Sequence, residues 1–292
     1  MRFTEIGQQL RAYRLESGLR AEEIAARLGV SRAALYRYEK GEVIKLDTIN
    51  RLAELLKISP LSLLGIGVEY YSRPIGYQER LRQMEETADQ ILMVDGPLCY
   101  LTTSDSYDRV LATAFDEAAD NAPDPQAARA AVEQVMGILA ARKRMYAMRN
   151  PSIIAIVAMS RLRALMGSGI ARSIALSERT RRMCRDVALA EVENIAALME
   201  SEPMGLQFGV LLSTEPTARF QILRDRERAN LAVNGYLPDT MPAATPGVAM
   251  ITAADEAITA HQRVAETMWR DAVKGPAAAR LLREAISGPA PA

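Results

Sequence analysis

Histidine, cysteine and tryptophan are scarce in this chain, and their scarcity removes several chemistries at once. The 292 residues contain one histidine, two cysteines and one tryptophan. A lone imidazole excludes a multi-histidine metal site, and His261, beside Gln262 and Arg263 in a helical run, reads as a surface or partly buried side chain. Cys99 and Cys184 fit no metal or redox spacing and read as small buried residues rather than as a redox sensor. No apolar run approaches membrane-spanning length and no secretory signal pattern opens the chain, so the expectation is a cytoplasmic protein without a membrane partner. Net charge is also lacking: 36 basic residues balance 36 acidic ones, and the whole chain shows no bias toward nucleic acid. Neither a phosphate-binding glycine loop nor GxSxG nor HExxH occurs. The run Met166-Gly167-Ser168-Gly169 lacks the strand and downstream acid of a dinucleotide site and reads as a turn. These absences point away from an enzyme and from any metal or cofactor.

What is present is concentrated near the start. Ile24, Ala25 and Leu28 recur at helical spacing, and Gly29 supplies the backbone freedom of a sharp interhelical turn. Val30 can plug that corner, Ser31 is a good N-cap, and Leu35 with Tyr38 carries an apolar stripe along the next helix until Gly41 stops it. Ile6, Leu10 and Tyr13 predict an earlier helix ending at Ser17-Gly18. Asp47 is expected to cap a fourth helix bearing Ile49, Leu52, Ala53, Leu55 and Leu56, and Ser59-Pro60 opens a short fifth through Leu64.

Taken in register, IGQQLRAYRLESGL, AEEIAARLGVSRAALYRYEKGE and DTINRLAELLKISPLSLL make residues 3–66 resemble the phage repressor and Cro type of helix-turn-helix, the XRE family of transcriptional regulators. The resemblance implies a structural ion pair between Arg14 late in the first helix and Glu39 at the end of the recognition helix. It also implies that the recognition helix enters the major groove of double-stranded DNA. The outer face opposite Leu35 and Tyr38 then offers Arg32, Ala33, Tyr36 and Arg37 to base edges, with the two arginines suited to guanine O6 and N7 and the alanine methyl to thymine. Ser31, Lys40 and Lys45 are placed for phosphates. Where the family often opens its second helix with a glutamine that touches the DNA backbone, this chain has Ala21.

The expected architecture is an all-α five-helix helix-turn-helix N-terminal domain followed by a larger mixed α/β (α+β) C-terminal domain. Boundaries are expected at 1–68 for the DNA-binding domain, 69–94 for a connector helix, 95–287 for a sensor and dimerisation domain, and 288–292 for a tail. Residues 1–64 hold 11 Lys/Arg against 8 Asp/Glu, a mildly basic head on an acidic body. The connector stripe is Leu81, Met84, Ala88, Ile91 and Leu92. In the body, strands are expected at Leu98–Thr102, Leu206–Leu212, Arg219–Leu223 and Val248–Thr252. Ser152–Met159 reads as a strand or as the front of a helix, with its β-branched content favouring the strand. Helices are expected from Ser104 or Asp105 through Asp120, from Asp124-Pro125 to about Arg149, from Ser177 to Met199, from Ala254 to Val273 and from Pro276 to Ile286. Leu237–Gly247, with three prolines, reads as a loop.

One charge pattern stands out. From Arg142 to Arg185 there are eleven Lys/Arg and a single acid, Glu178. Solvated helix faces pairing with neighbouring acids would explain it; a pocket for an anionic small-molecule effector or an auxiliary DNA-facing surface would explain it differently, and Arg179, Arg182 and Arg185, three apart on one helix face, are the natural cluster for the effector. The function expected from all this is a homodimeric, sequence-specific regulator of transcription, a repressor by family habit, reading a two-fold operator and open to a small-molecule effector. The rival is a ligand-binding or enzymatic C-terminal domain that uses the head for localisation or protein interaction.

Overall fold

The computed structural model describes residues 3–94, 96–236 and 247–288. Five helices form the head: α1 (Phe3–Ser17), α2 (Ala21–Leu28), α3 (Arg32–Glu39), α4 (Leu46–Leu56) and α5 (Pro60–Leu63). Their apolar stripes meet in one core, where Leu10, Ile24, Leu35, Leu52 and Leu63 are wholly buried. The punctuation is as the residues dictate: Gly18 and Gly29 take φ of 72° and 70°, ending α1 and α2 in the left-handed region. Ser31 Oγ accepts the Ala34 amide at 3.0 Å, and Ser59 accepts Leu61 at 3.2 Å ahead of Pro60. One cap is corrected. Helix α4 begins two residues earlier than the Asp47 cap implied, with Lys45 as N-cap and no side-chain cap bond, and Asp47 sits in the first turn, where its charge still opposes the helix dipole favourably.

The body is α+β. Among the described residues its eight strands are β1 (Val68–Tyr71), β2 (Gln90–Val94), β3 (Ser152–Ala158), β4 (Leu206–Leu211), β5 (Phe220–Arg224), β6 (Ala229–Val233), β7 (Ala249–Thr252) and β8 (Val273–Lys274), in the order β1-β7-β6-β5-β2-β3-β4-β8. Only β2, β3 and β4 run parallel, with Ile91 opposite Ile153 and Ile153 opposite Leu206; every other pair is antiparallel. Parallel neighbours need long crossovers. Helices α7 (Asp105–Asp120) and α8 (Pro125–Arg149) link β2 to β3, and α9 (Met159–Ser168) and α10 (Glu178–Ser201) link β3 to β4. Ser104, Asp124 and Ser177 cap α7, α8 and α10. The chain closes with α11 (Asp255–Asp271) and α12 (Gly275–Ser287). Among the described residues no helix is long and apolar enough to cross a membrane. Most of Leu237–Gly247 and of the tail 288–292 lies outside the described residues.

Two expectations fail. Residues 69–94 are not one connector helix: β1, α6 (Pro74–Glu85) and β2 share the segment, so Ile91 and Leu92 are strand residues. Gln90–Val94 carries the apolar run Ile91–Val94 and pairs with β3 on one side and β5 on the other, and filling that central place in the sheet outweighs the continued helical spacing. Leu98–Thr102 is no strand either. After Pro97 the chain folds into a 3-10 turn at Tyr100–Thr102, with the Thr102 amide donating to the Cys99 carbonyl at 3.0 Å. Met166–Gly169 is the end of α9, stopped by Gly169 at φ 77°.

The segment that was to be a connector is instead the joint that seats the head. Helix α6 packs along α1. Glu69 of β1 accepts Gln9 Nε2 of α1 at 2.6 Å, Tyr71 Oη at 2.6 Å and Arg80 Nε of α6 at 2.9 Å, and all four of these residues are buried. Tyr13 of α1 stacks on Tyr71 with ring centroids 5.4 Å apart. Glu16 accepts the Ser72 amide at 2.6 Å and the Arg73 amide at 3.1 Å. A buried carboxylate satisfied from three elements holds their mutual orientation.

Candidate nucleic-acid interface

Two close approaches position the recognition helix. A Cβ on Gly7 would lie 2.5 Å from the Tyr38 carbonyl oxygen and 2.7 Å from that of Glu39, so α1 meets the end of α3 where only glycine fits. Beside this contact Arg14 Nε and Nη2 reach the two oxygens of Glu39 at 2.5 and 3.1 Å. The side chains are 14% and 5% exposed, so removing either partner would leave a charge largely shut away from water. This is the fork-to-carboxylate pairing that the resemblance implied.

On the other side of α3 the polar residues face outward. Ser31, Arg32, Ala33, Arg37, Lys40 and Lys45 are all exposed. Arg32 lies 2.7 Å from Glu22 and donates to Tyr36 Oη at 3.3 Å, while Arg37 lies 2.9 Å from Glu42. Exposed pairs of this kind contribute about 0–1 kcal/mol, less than the roughly 1–3 kcal/mol of a bidentate guanine contact, so both arginines can leave their carboxylates for base edges. Tyr36 stands apart from the other expected base readers. It is half-buried, with the Arg14 and Arg32 guanidinium carbons 5.8 and 5.3 Å from its ring, and it orients Arg32 more than it projects. Lys45 stands at the α4 N-terminus, where free amides and a cation share one exposed place. Ala21 is buried at the start of α2. Glu22 and Glu42 were missed from the sequence: Glu22 reaches Arg32 across the interhelical turn, and Glu42 follows a helix end.

The arginine-rich stretch divides. Arg142 pairs with Glu85 at 2.6 Å in the core, Lys143 with Asp108 at 2.6 Å, Arg149 with Asp89 at 3.4 Å and Arg161 with Glu215 at 2.9 Å. Arg181 donates to the carbonyls of Ala171 and Ile174. Pairing with acids of neighbouring elements thus accounts for much of the pattern. Arg179 and Arg182 are exposed on α10 and Arg185 is tied to Glu178 at 2.8 Å, so the expected effector cluster lies on an outer helix face. A different set, Arg161, Arg172 and Arg219, surrounds a cleft of about 480 Å³. Cys99 and Cys184 are buried, and burial pushes the Cys99 thiol up to about 11. His261 is half-buried, its Nδ1 2.8 Å from the Ala257 carbonyl oxygen and its ring edge-on to Phe220.

Residues 5–63 match the family model of a helix-turn-helix domain, consistent with the XRE-type resemblance of that segment. No curated protein matches the chain in sequence. Among solved structures the chain is similar to TrmBL2, described as an archaeal chromatin protein with a novel mode of DNA binding, at 11% identity and a TM-score of 0.35. The likeness covers 78% of this chain and 61% of that one, so this chain spans less than two thirds of that protein. So distant a likeness says nothing further about this chain.

Proposed function

We propose that this protein is a sequence-specific DNA-binding regulator of transcription, a cytoplasmic homodimeric repressor without enzymatic activity, that reads a two-fold operator through Arg32 and Arg37. The observation that carries the reading is the helix-turn-helix at residues 5–63, whose α3 is pinned from behind by Arg14–Glu39 and presents Arg32, Ala33 and Arg37 outward. Base edges set sequence preference, and phosphate contacts by Ser31, Lys40 and Lys45 add affinity without it. A dimer suits the small size of the head, because one short helix makes few base contacts and two on one duplex multiply their effect.

The test is selection of bound fragments from genomic DNA, followed by titration of two variants on the selected duplex and on a random one. Arg37→Ala should cost about 1–3 kcal/mol on the selected duplex and relax preference at one position per half-site. Lys40→Ala should weaken both duplexes alike. Equal losses on both duplexes for both variants would remove the base-reading assignment, and failure to enrich any fragment would remove the DNA-binding reading itself.

A further inference from the structure

A cleft opens beyond the carboxyl ends of β2 and β3. Gly96 and Pro97 follow β2, Ser160 and Arg161 follow β3 in the first turn of α9, and Arg219 and Tyr236 close the side formed by β5 and β6. In open sheets with parallel strands this edge is where small molecules bind, because the strands end there and the loops diverge. The volume, about 480 Å³, suits a small metabolite.

Among the described residues the lining has one sign of charge in excess. There Arg161, Arg172 and Arg219 stand with a single acid, Glu215, which is held by Arg161 Nε at 2.9 Å and Ser160 Oγ at 3.1 Å. Arg172 is exposed and makes no hydrogen bond or ion pair among the described residues. Helix α9 also starts from Ala158, which has no side chain to cap its first amides. We infer that this cleft binds a small organic anion through a phosphate or carboxylate group, with Arg172 as the principal cation, and that Tyr236 in its wall transmits occupancy to the head.

The transmission follows from three side chains. Tyr236 lines the cleft, is buried, and donates through Oη to the Tyr71 carbonyl at 2.6 Å. Tyr71 belongs to β1, and its ring stacks on Tyr13 of α1. Tyr236 also approaches Tyr77 of α6, with centroids 6.1 Å apart, and α6 packs along α1. Glycines on either side leave Tyr236 little room: a Cβ on Gly235 would lie 1.9 Å from the Val248 carbonyl oxygen, and one on Gly247 would lie 2.8 Å from the Tyr236 ring. A ligand that moves this ring must displace β1 or α6, and α1 rests on both. The regulatory consequence for operator binding rests on the DNA-binding reading; ligand binding and its effect on α1 do not.

The test uses the full-length chain with inorganic phosphate and citrate as probes, which separates phosphoryl from carboxylate recognition. Calorimetry should show saturable binding of at least one probe. Arg172→Gln should weaken it tenfold or more, while the double variant Arg179→Gln, Arg182→Gln on the outer face of α10 leaves it unchanged. Saturating probe should change hydrogen-exchange protection in α1 at least tenfold, and Tyr236→Phe, with the probe raised to saturation for that variant, should lose that change. Absence of saturable binding, or equal loss in the Arg172 and α10 variants, would overturn the site. An α1 response that persists in Tyr236→Phe would overturn the transmission. Neither result depends on whether the protein binds DNA.

Discussion

Removing the Glu69 carboxylate tests whether the head is seated on the body or merely tethered to it. In Glu69→Ala, Arg80, whose side chain is 9% exposed, loses the partner that accepts its Nε at 2.9 Å and its Nη2 at 3.1 Å. Breaking a buried pair from one side costs about 3–5 kcal/mol, because the remaining charge has no water to turn to. Tyr71 Oη and Gln9 Nε2 lose the same acceptor, each of them a bond at 2.6 Å, at about 1–3 kcal/mol apiece when left unsatisfied. The terms belong to one network and do not add, so about 3–5 kcal/mol is the expected total. At roughly 1.4 kcal/mol per tenfold, that is about a hundred- to several-thousand-fold loss of exchange protection. The loss should concentrate in α1 and α6 and spare β3 and β4, whose amides are protected by the central sheet. The double variant Glu69→Met, Arg80→Met should regain a large part, since two apolar chains replace two charges together. A decrease of less than tenfold in α1, or an equal decrease across β3 and β4, would refute the buried joint as the element that seats the head.

Other outcomes follow from single contacts. Gly7→Ala places a methyl 2.5 Å from the Tyr38 carbonyl oxygen and should destabilise the head by about 1–3 kcal/mol, read as a lowered Tm together with weaker operator binding as α3 shifts from Arg14. A buried Cys99 thiol pushed up to about 11 stays protonated at every pH well below that value, so iodoacetamide at neutral pH should leave it unmodified in the folded protein and label it after guanidinium unfolding; labelling of the native chain would contradict its burial. Glu42→Gln frees Arg37 from its 2.9 Å partner and removes a negative charge beside the recognition helix, so affinity for random duplex DNA should rise and its salt dependence steepen. Unchanged random binding would show that Glu42 does not hold Arg37 back.

The head was legible because its information is local. Gly18 and Gly29 end their helices, Ser31 and Ser59 start theirs, and the apolar stripes of α1 to α4 recur within a few residues. Helices α7, α8 and α10 of the body were legible for the same reason, announced by Ser104, Asp124 and Ser177. Strands β1, β2, β6 and β8 were not. Two of these are four and two residues long, and β2 continues a helical spacing of apolar residues that only pairing with β3 and β5 overrides. Gly7 gave no local sign of its role, since its constraint comes from carbonyl groups more than thirty positions away.

The same distinction explains why the arginine reading settled on one helix face and why residues 69–94 read as a connector helix. Arg179, Arg182 and Arg185 are neighbours on one helix face, which sequence spacing reveals, whereas Arg161, Arg172 and Arg219 are gathered from α9, the segment after it and the approach to β5 by the way those segments meet at the sheet edge. On α1, Gln9 and Glu16 lie outside the apolar stripe of Ile6, Leu10 and Tyr13, yet they satisfy groups 60 and 56 positions away. Polar side chains buried in pairs across a joint are costly to separate, so the head cannot swing freely about residues 65–74. Any change in the placement of α3 on DNA must therefore pass through β1 and α6. In the proposed dimer the body would set the distance between the two recognition helices, and a ligand beside Tyr236 would act on that distance by shifting the strand and helix on which α1 rests.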